Sequence, residues 1–156
     1  MARGYLYEIS SFINELGKTD ESDFYDQCGV VADWFETVDP VKPTKELLCR
    51  FHQAGIENGT EEDSEGNTRQ WFKLTSSSRQ EYFRPLYEEF KRAAHDMPLE
   101  KFSTGIYTIE NLLETQYGDA IYISDHTGVY YDSIEDFLRN AEMDIKYYVG
   151  NVIYMH

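Results

Sequence analysis

The spacing of apolar residues changes at Asp119, and this change constrains the fold more than any other feature of the chain. After it, the segments 120–123 and 129–131 flank an Asp-His-Thr-Gly loop sequence, which is typical of a β-hairpin. The segments 145–149 and 152–155 flank Gly150-Asn151, a residue pair typical of two-residue hairpin turns. Ser133 can cap a helix between the two hairpins. The C-terminal third is therefore predicted to be hairpin, helix, hairpin.

The residues before Asp119 carry the three-to-four spacing of amphipathic helices. Ser76, Ser77 and Ser78 can cap the longest one, predicted over residues 79–95, although Pro85 predicts a kink inside it. A further helix is predicted from Thr108 to Gly118. One long central helix is thus expected.

The N-terminal residues are also predicted to be mainly helical. Alternation over residues 5–9 suits either a short strand or the first turn of a helix ending at Gly17, and we favour the helix. A second helix, capped by Ser22 or Asp23, is predicted to end before Pro40. A short helix is predicted over residues 45–53. Residues 57–67 are predicted to form a solvated loop or hairpin tip, and residues 69–75 a strand.

These predictions define an α+β fold with N-terminal helices, one long central helix and a C-terminal antiparallel sheet of hairpin–helix–hairpin type. A length of 156 residues suits a single domain, 1–156. No apolar run approaches the length of a membrane span, so a cytoplasmic protein without membrane contacts is expected. Cys28 and Cys49 are expected to be reduced, buried thiols.

The sequence carries no catalytic or cofactor signature. Neither phosphate-binding glycine motif occurs, and the acidic segment 57–67 fails as a calcium loop because Phe72 stands where a bidentate glutamate is needed. We therefore predict no cofactor, no metal site and no enzymatic activity. The alternative is a small hydrolase or metal-dependent enzyme that uses Asp125 and His126 for acid–base chemistry, although both residues are also ordinary turn formers.

The charge of the chain is the feature that bears most directly on function. Twenty-nine acidic residues stand against fourteen Lys and Arg, for a formal charge of −15. Residues 1–40 and 102–156 each hold nine acids and two bases, whereas residues 41–101 hold eleven and ten. Such a field repels nucleic acid and anionic lipid and attracts basic surfaces. It favours binding to a basic partner, with solubility as the other explanation.

Acidic residues at spacings of three and exposed tyrosines mark the predicted contact surface. On an α-helix a spacing of three falls short of the period, so these acids are expected to drift around the axis. Tyrosine supplies large contact area at little entropic cost. The candidate partner-binding residues are Asp20, Asp23, Asp26, Asp33, Glu36, Asp39, Tyr130, Asp132, Glu135 and Asp136.

In size, acidity and lack of a catalytic motif, the chain resembles the small acidic inhibitors of phages and mobile elements, such as anti-restriction and anti-CRISPR nucleic-acid mimics. No motif aligns residue by residue, so no binding residue is transferred. The predicted function is a non-enzymatic inhibitor that occupies a basic or nucleic-acid-binding surface of a partner, for example a nucleic-acid-binding enzyme or effector. Direct nucleic-acid binding is not expected. A general protein-interaction domain is a further alternative.

Overall fold

The strands of the protein form one seven-stranded mixed sheet in a computed structural model that describes residues 4–29, 31–104, 118–124 and 128–156. The strands are β1 (Gly4–Ser10), β2 (Phe35–Val38), β3 (Glu57–Glu62), β4 (Thr68–Lys73), β5 (Ala120–Ile123), β6 (Val129–Tyr131) and β7 (Lys146–Met155). Their order is β3-β4-β7-β1-β5-β6, and β2 also pairs with β7. β1 and β5 are parallel, and the other pairs are antiparallel.

The helices are of two kinds. Two 3-10 helices, Ile13–Glu15 and Glu21–Gln27, lie between β1 and β2. The α-helices of the described residues are α1 (Val41–Gln53), α2 (Ser76–His95), α3 (Leu99–Thr104) and α4 (Ile134–Asn140). None of the helices in these ranges is both long and apolar enough to cross a membrane.

The protein is α+β, but the predicted sheet architecture is wrong. β5 and β6 pair antiparallel, as the first predicted hairpin requires, but the sheet is not a C-terminal pair of hairpins, because β1 to β4 come from the first half of the chain. β1 lies near the centre, where it pairs with β5 and β7 and buries residues on both faces. The favoured helix from residue 5 to Gly17 is therefore wrong: the alternation over residues 5–9 belongs to a strand, whose apolar residues on both faces also suited a helix.

The predicted helix over residues 24–38 is also wrong. Asp20, not Ser22 or Asp23, caps a 3-10 helix that ends at Gln27, and Gly29 adopts a positive φ of 81°. Residues 35–38 then form β2 on β7. The two prolines after it open α1 instead of ending a helix, since the first turn of a helix needs no backbone N–H from proline.

Predictions that rest on helix caps and helical period agree better with the structure. The predicted inward residues of α1, Leu47, Leu48 and Phe51, are buried. The long central helix is present with Pro85 inside it, but it begins at Ser76, and its N-cap is Thr75 and not one of the three predicted serines. Residues 57–62 of the predicted loop form β3, which pairs with β4. The predicted helix 108–118 and the loop 125–127 lie outside the described residues, apart from Gly118.

Gly150-Asn151 is a β-bulge and not the predicted hairpin turn. β7 continues through both residues, and the register with β1 pairs Tyr7 with Val152 and Ile9 with Val149. Glu8 of β1 therefore faces two residues of β7, as in a bulge. The sequence signal of a turn and that of a bulge are similar, because both favour glycine.

Replacing Gly150 with alanine is expected to lower the free energy of unfolding by about 2 kcal/mol. A Cβ at this position would overlap the Glu8 carboxylate, which hydrogen bonds hold in place. Chemical denaturation measures the change. Gly66→Ala is the control: its φ of 81° is positive, unlike that of Gly150, but its surroundings are open, so it should cost only about 1 kcal/mol. An equal loss in the two variants would contradict the overlap.

Buried apolar clusters lie on both faces of the sheet. On the helix-covered face, α1 and α4 pack on the sheet, with Phe51, Phe72 and Phe137 fully or almost fully buried. On the opposite face, the chain between β1 and β2 packs through Phe24 and Phe35 against the strands. We call this chain, residues 11–29 and 31–34, the N-terminal segment. It carries most of the N-terminal acids.

Candidate functional site

The acidic part of the N-terminal segment is built around a 3-10 helix. The Asp20 carboxylate accepts the Ser22 N–H (2.8 Å), and the Asp23 carboxylate accepts the Asp20 N–H (2.8 Å), which together form a capping box. Phe24 is buried beneath them, whereas Asp20, Asp23 and Asp26 are exposed. The helix is thus anchored by its one buried aromatic side chain and presents carboxylates outward.

The 3-10 geometry aligns these acids. Because a 3-10 helix has about three residues per turn, side chains at positions i and i+3 eclipse each other, about 6 Å apart along the axis. Asp23 and Asp26 have this spacing, and the N-cap Asp20 precedes them by the same interval. The predicted drift is therefore wrong for Asp23 and Asp26, whereas Asp20 has an extended backbone and lies just before the helix as its N-cap. We call Asp20, Asp23 and Asp26 the acidic ridge.

The acidic ridge borders an aromatic groove. The Phe24 ring meets the Tyr122 ring edge-on, with centroids 5.3 Å apart, and also contacts Phe35. Tyr122 and Tyr130 are paired across β5 and β6, so their side chains lie on the same face of the sheet. The groove measures about 300 Å³ and is lined by Asp23, Phe24, Val31, Phe35, Tyr122, Gly128 and Tyr130. Carboxylate and aromatic groups thus share one depression.

Burial and neighbouring groups shift the pKa values of three side chains in or near the groove. Burial, together with the Asp132 carboxylate, raises the pKa of the Tyr130 hydroxyl, which therefore remains a hydrogen-bond donor at neutral pH. Hydrogen bonding with the Ser22 side chain lowers the pKa of Asp20, and hydrogen bonding with the Thr37 hydroxyl lowers the pKa of Glu21. Both carboxylates are thus ionised at neutral pH.

The two acidic ends of the chain meet at this groove. Asp23 comes from the N-terminal end, and Tyr130 with its neighbour Asp132 comes from the C-terminal end. Asp33 is exposed at the end of the N-terminal segment, where its N–H bonds to the His156 carbonyl. Five of the candidate residues therefore lie in or next to this face: Asp20, Asp23, Asp26, Tyr130 and Asp132.

Other candidate residues lie elsewhere. Glu36 alternates with the buried Phe35 on β2 and points to the other face, and Asp39 accepts the Val41 N–H (3.0 Å) at the start of α1. Glu135 and Asp136 are on α4, on the helix-covered face. Glu135 is half-buried and accepts a hydrogen bond from the Tyr82 hydroxyl (3.3 Å). The structure does not bring these four residues to the groove.

Glu8 positions the N-terminal segment. This role of Glu8 was not predicted from the sequence. Its side chain is buried, and its two oxygens accept the N–H groups of Gly17 (2.6 Å), Lys18 (3.2 Å), Thr19 (2.9 Å) and Asn151 (3.0 Å). These bonds tie the chain immediately before the acidic ridge to the central strands. The sequence does contain a sign of this role: Glu8 is a single charged residue in a mainly apolar run. Such a residue indicates a buried carboxylate that needs hydrogen-bond donors.

The enzymatic alternative depends on a carboxylate beside an imidazole. Asp125 and His126 lie outside the described residues. Within the described ranges no three His, Cys, Asp or Glu side chains group closely enough to hold a metal ion. The expectation of buried cysteines is wrong, because Cys28 and Cys49 are both exposed and free.

Comparisons of the chain with protein-family models, curated proteins and solved structures found no match.

Proposed function

We propose that this protein is a non-enzymatic binding protein whose acidic ridge and aromatic groove occupy a basic surface of a partner protein. The observation that carries the proposal is the meeting of carboxylates from both acidic ends around one aromatic depression. A protein that needed acidity only for solubility would have no reason to combine it with such a groove. The charge of −15 adds long-range attraction to a basic partner.

The groove suits the side chain of an arginine or lysine on that partner. The rings of Phe24, Tyr122 and Tyr130 offer apolar surface and π-faces, on which a guanidinium group stacks well. Asp23 lies in the lining and Asp132 is next to Tyr130, so a cation there would meet carboxylates as well. A volume of about 300 Å³ is small, which matches one inserted side chain better than a larger ligand.

The partner surface we propose is one that binds nucleic acid. Asp23 and Asp26 are one 3-10 turn apart, a rise of about 6 Å along the axis, so they resemble neighbouring backbone phosphates, and a surface that recognises phosphates by Lys and Arg would accept them. The protein would then act as an inhibitor by competing with nucleic acid for an enzyme or effector. Its own charge disfavours nucleic acid as a direct ligand.

The test combines affinity capture at two salt concentrations with a charge-neutralised variant, Asp23→Asn/Asp26→Asn. Asparagine at position 23 retains an oxygen that can accept the Asp20 N–H, so the capping box is preserved. With the purified captured partner, the variant is expected to bind about tenfold more weakly at low salt, with a smaller salt dependence. Titration calorimetry measures both quantities.

Glu89→Gln/Glu142→Gln is the matched control, because it removes the same charge from two exposed residues outside the site. We expect the control to change the affinity by less than about threefold. Competition with nucleic acid is measured with the same partner. Binding that is insensitive to salt, or equally weakened in the two variants, would contradict the proposal.

A further inference from the structure

A second cavity lies on the helix-covered face, away from the acidic ridge. β4 pairs with β7 as far as Val149, and β2 pairs with the same edge of β7 from Val152 onward. Gly150 and Asn151 therefore face a gap between β4 and β2 on that edge. Together with α1, this part of the sheet borders a cleft of about 740 Å³. Its volume is in the range of small-molecule sites.

The cleft has the mixed lining of a ligand site. Val41, Leu48 and Val149 provide apolar surface, and Asn58, Thr68 and Gln70 provide hydrogen-bonding groups. Cavities that bind small organic molecules combine these two features. The ligand it fits therefore has an apolar part as well as polar atoms.

Thr44 gives an independent indication that a polar ligand group belongs here. This residue lines the cleft and is only 4% exposed, and its Oγ1 has no hydrogen-bond partner in the described part of the chain. A buried hydroxyl without a partner is unfavourable, so such groups in folded proteins usually have one. A ligand in the cleft could supply it.

The charge of the lining is opposite to that of the protein. No Asp or Glu lines the cleft among the described residues, whereas Lys45, His52 and Arg69 do. Lys45, Cys49 and His52 lie at positions i, i+4 and i+7 of α1, so they share one side of the helix. Arg69 is 3.5 Å from the Asp63 carboxylate, but Lys45 forms no ion pair with any described residue. In a chain of −15, this lining is thus a local concentration of basic groups.

We propose that the cleft binds a small amphipathic organic anion, with its carboxylate or phosphate group near Lys45 and His52 and its apolar part against Leu48 and Val149. At physiological salt, charges more than about 8 Å away are largely screened, so the groups of the cleft itself dominate the field that the ligand meets. The site is separate from the acidic ridge and does not depend on the function proposed for it.

Four probes that share one ring and differ in charge test the ligand class. Phenyl phosphate and phenylacetate are anionic, benzyl alcohol is neutral, and benzylamine is cationic. In NMR titrations of the full chain, at least one anion is expected to give saturable amide shifts at Lys45, Cys49 and Gln70, with at least about tenfold higher affinity than the other two classes. The anion that binds more tightly shows whether the site prefers a phosphate or a carboxylate. Equal affinity for all four probes, or no saturable shift at these residues, would overturn the proposal.

Variants separate ligand binding from structural roles. Lys45→Gln/His52→Gln is expected to weaken anion binding at least about tenfold, whereas Lys42→Gln, an exposed residue of α1 outside the cleft, should leave it unchanged. Thr44→Val replaces the hydroxyl with a methyl group of similar size, so it should weaken binding while the melting temperature stays the same or rises. Unchanged anion affinity in both Lys45→Gln/His52→Gln and Thr44→Val would refute the site.

Discussion

Glu8→Gln is expected to lower the free energy of unfolding by about 3 kcal/mol, although the change adds no volume. One carboxylate oxygen accepts the N–H groups of Gly17 and Asn151, and the other accepts those of Lys18 and Thr19. A glutamine has only one acceptor oxygen. Whichever way its amide points, two backbone N–H groups therefore face an NH₂ group and lose their acceptor.

Chemical denaturation measures this loss, and hydrogen exchange locates it. We expect faster exchange at Gly17, Thr19 and Asn151 than in the wild-type protein, because these amides lose their acceptor first. Glu15→Gln is the control, since Glu15 is exposed and pairs only with the exposed Lys18; it should change stability by less than about 0.5 kcal/mol. A loss below about 1 kcal/mol in Glu8→Gln would show that the four bonds contribute little to stability.

Phe72→Ala is expected to lower the free energy of unfolding by about 4 kcal/mol. Phe72 is fully buried, and its ring contacts those of Phe51 (4.9 Å), Tyr147 (5.7 Å) and Phe137 (6.0 Å), so one truncation opens a cavity between β4, β7, α1 and α4. Thermal and urea unfolding measure the effect. The residue thus joins α1 and α4 to the sheet.

The control for Phe72→Ala is Phe12→Ala, at a phenylalanine that is 57% exposed. We expect it to change stability by less than about 0.5 kcal/mol. Phe72→Leu keeps most of the buried volume and should cost less than half as much as the alanine variant. A loss below about 2 kcal/mol in Phe72→Ala would mean that the four elements can close the cavity by moving together.

The roles of Glu8 and the acidic ridge are connected. Glu8 holds Gly17 to Thr19, and the ridge begins at the next residue, Asp20. Glu8→Gln should therefore disturb partner binding indirectly, through the position of the ridge. Asp23→Asn/Asp26→Asn changes the charge of the ridge and leaves this anchor intact, which makes it the sharper test of the proposed function.

The sheet also separates two surfaces of opposite character. The acidic ridge and aromatic groove lie on the face covered by the N-terminal segment, and the cleft lined by Lys45 and His52 lies on the helix-covered face. A basic partner and a small anion could thus bind without competing for the same residues. No residue lines both cavities, so the test of one proposal can fail while the test of the other succeeds.

Part of the candidate site could be predicted from the sequence. Exposure of the acids Asp20, Asp23 and Asp26 follows from their charge, and their clustering is visible in the linear order. That Tyr130 lines the same groove as Asp23 could not be predicted, because the two are more than a hundred positions apart and meet only through the sheet. The alignment of the ridge depended on the 3-10 helix, and the sequence pattern had indicated an α-helix.

The sequence by itself determined the uneven charge, the α+β class and the helices α1 and α2. These depend on residues a few positions apart: hydroxyl side chains near the start of α2, a glycine such as Gly55 after the last turn of α1, and an apolar stripe at helical spacing. Only the tertiary structure decided that β1 lies near the centre of the sheet, that Gly150 forms a bulge over Glu8, and that the two acidic ends share one groove. Strand pairing joins residues that are distant in the chain, and its free energy comes from burial and hydrogen bonds that exist only once the sheet has formed.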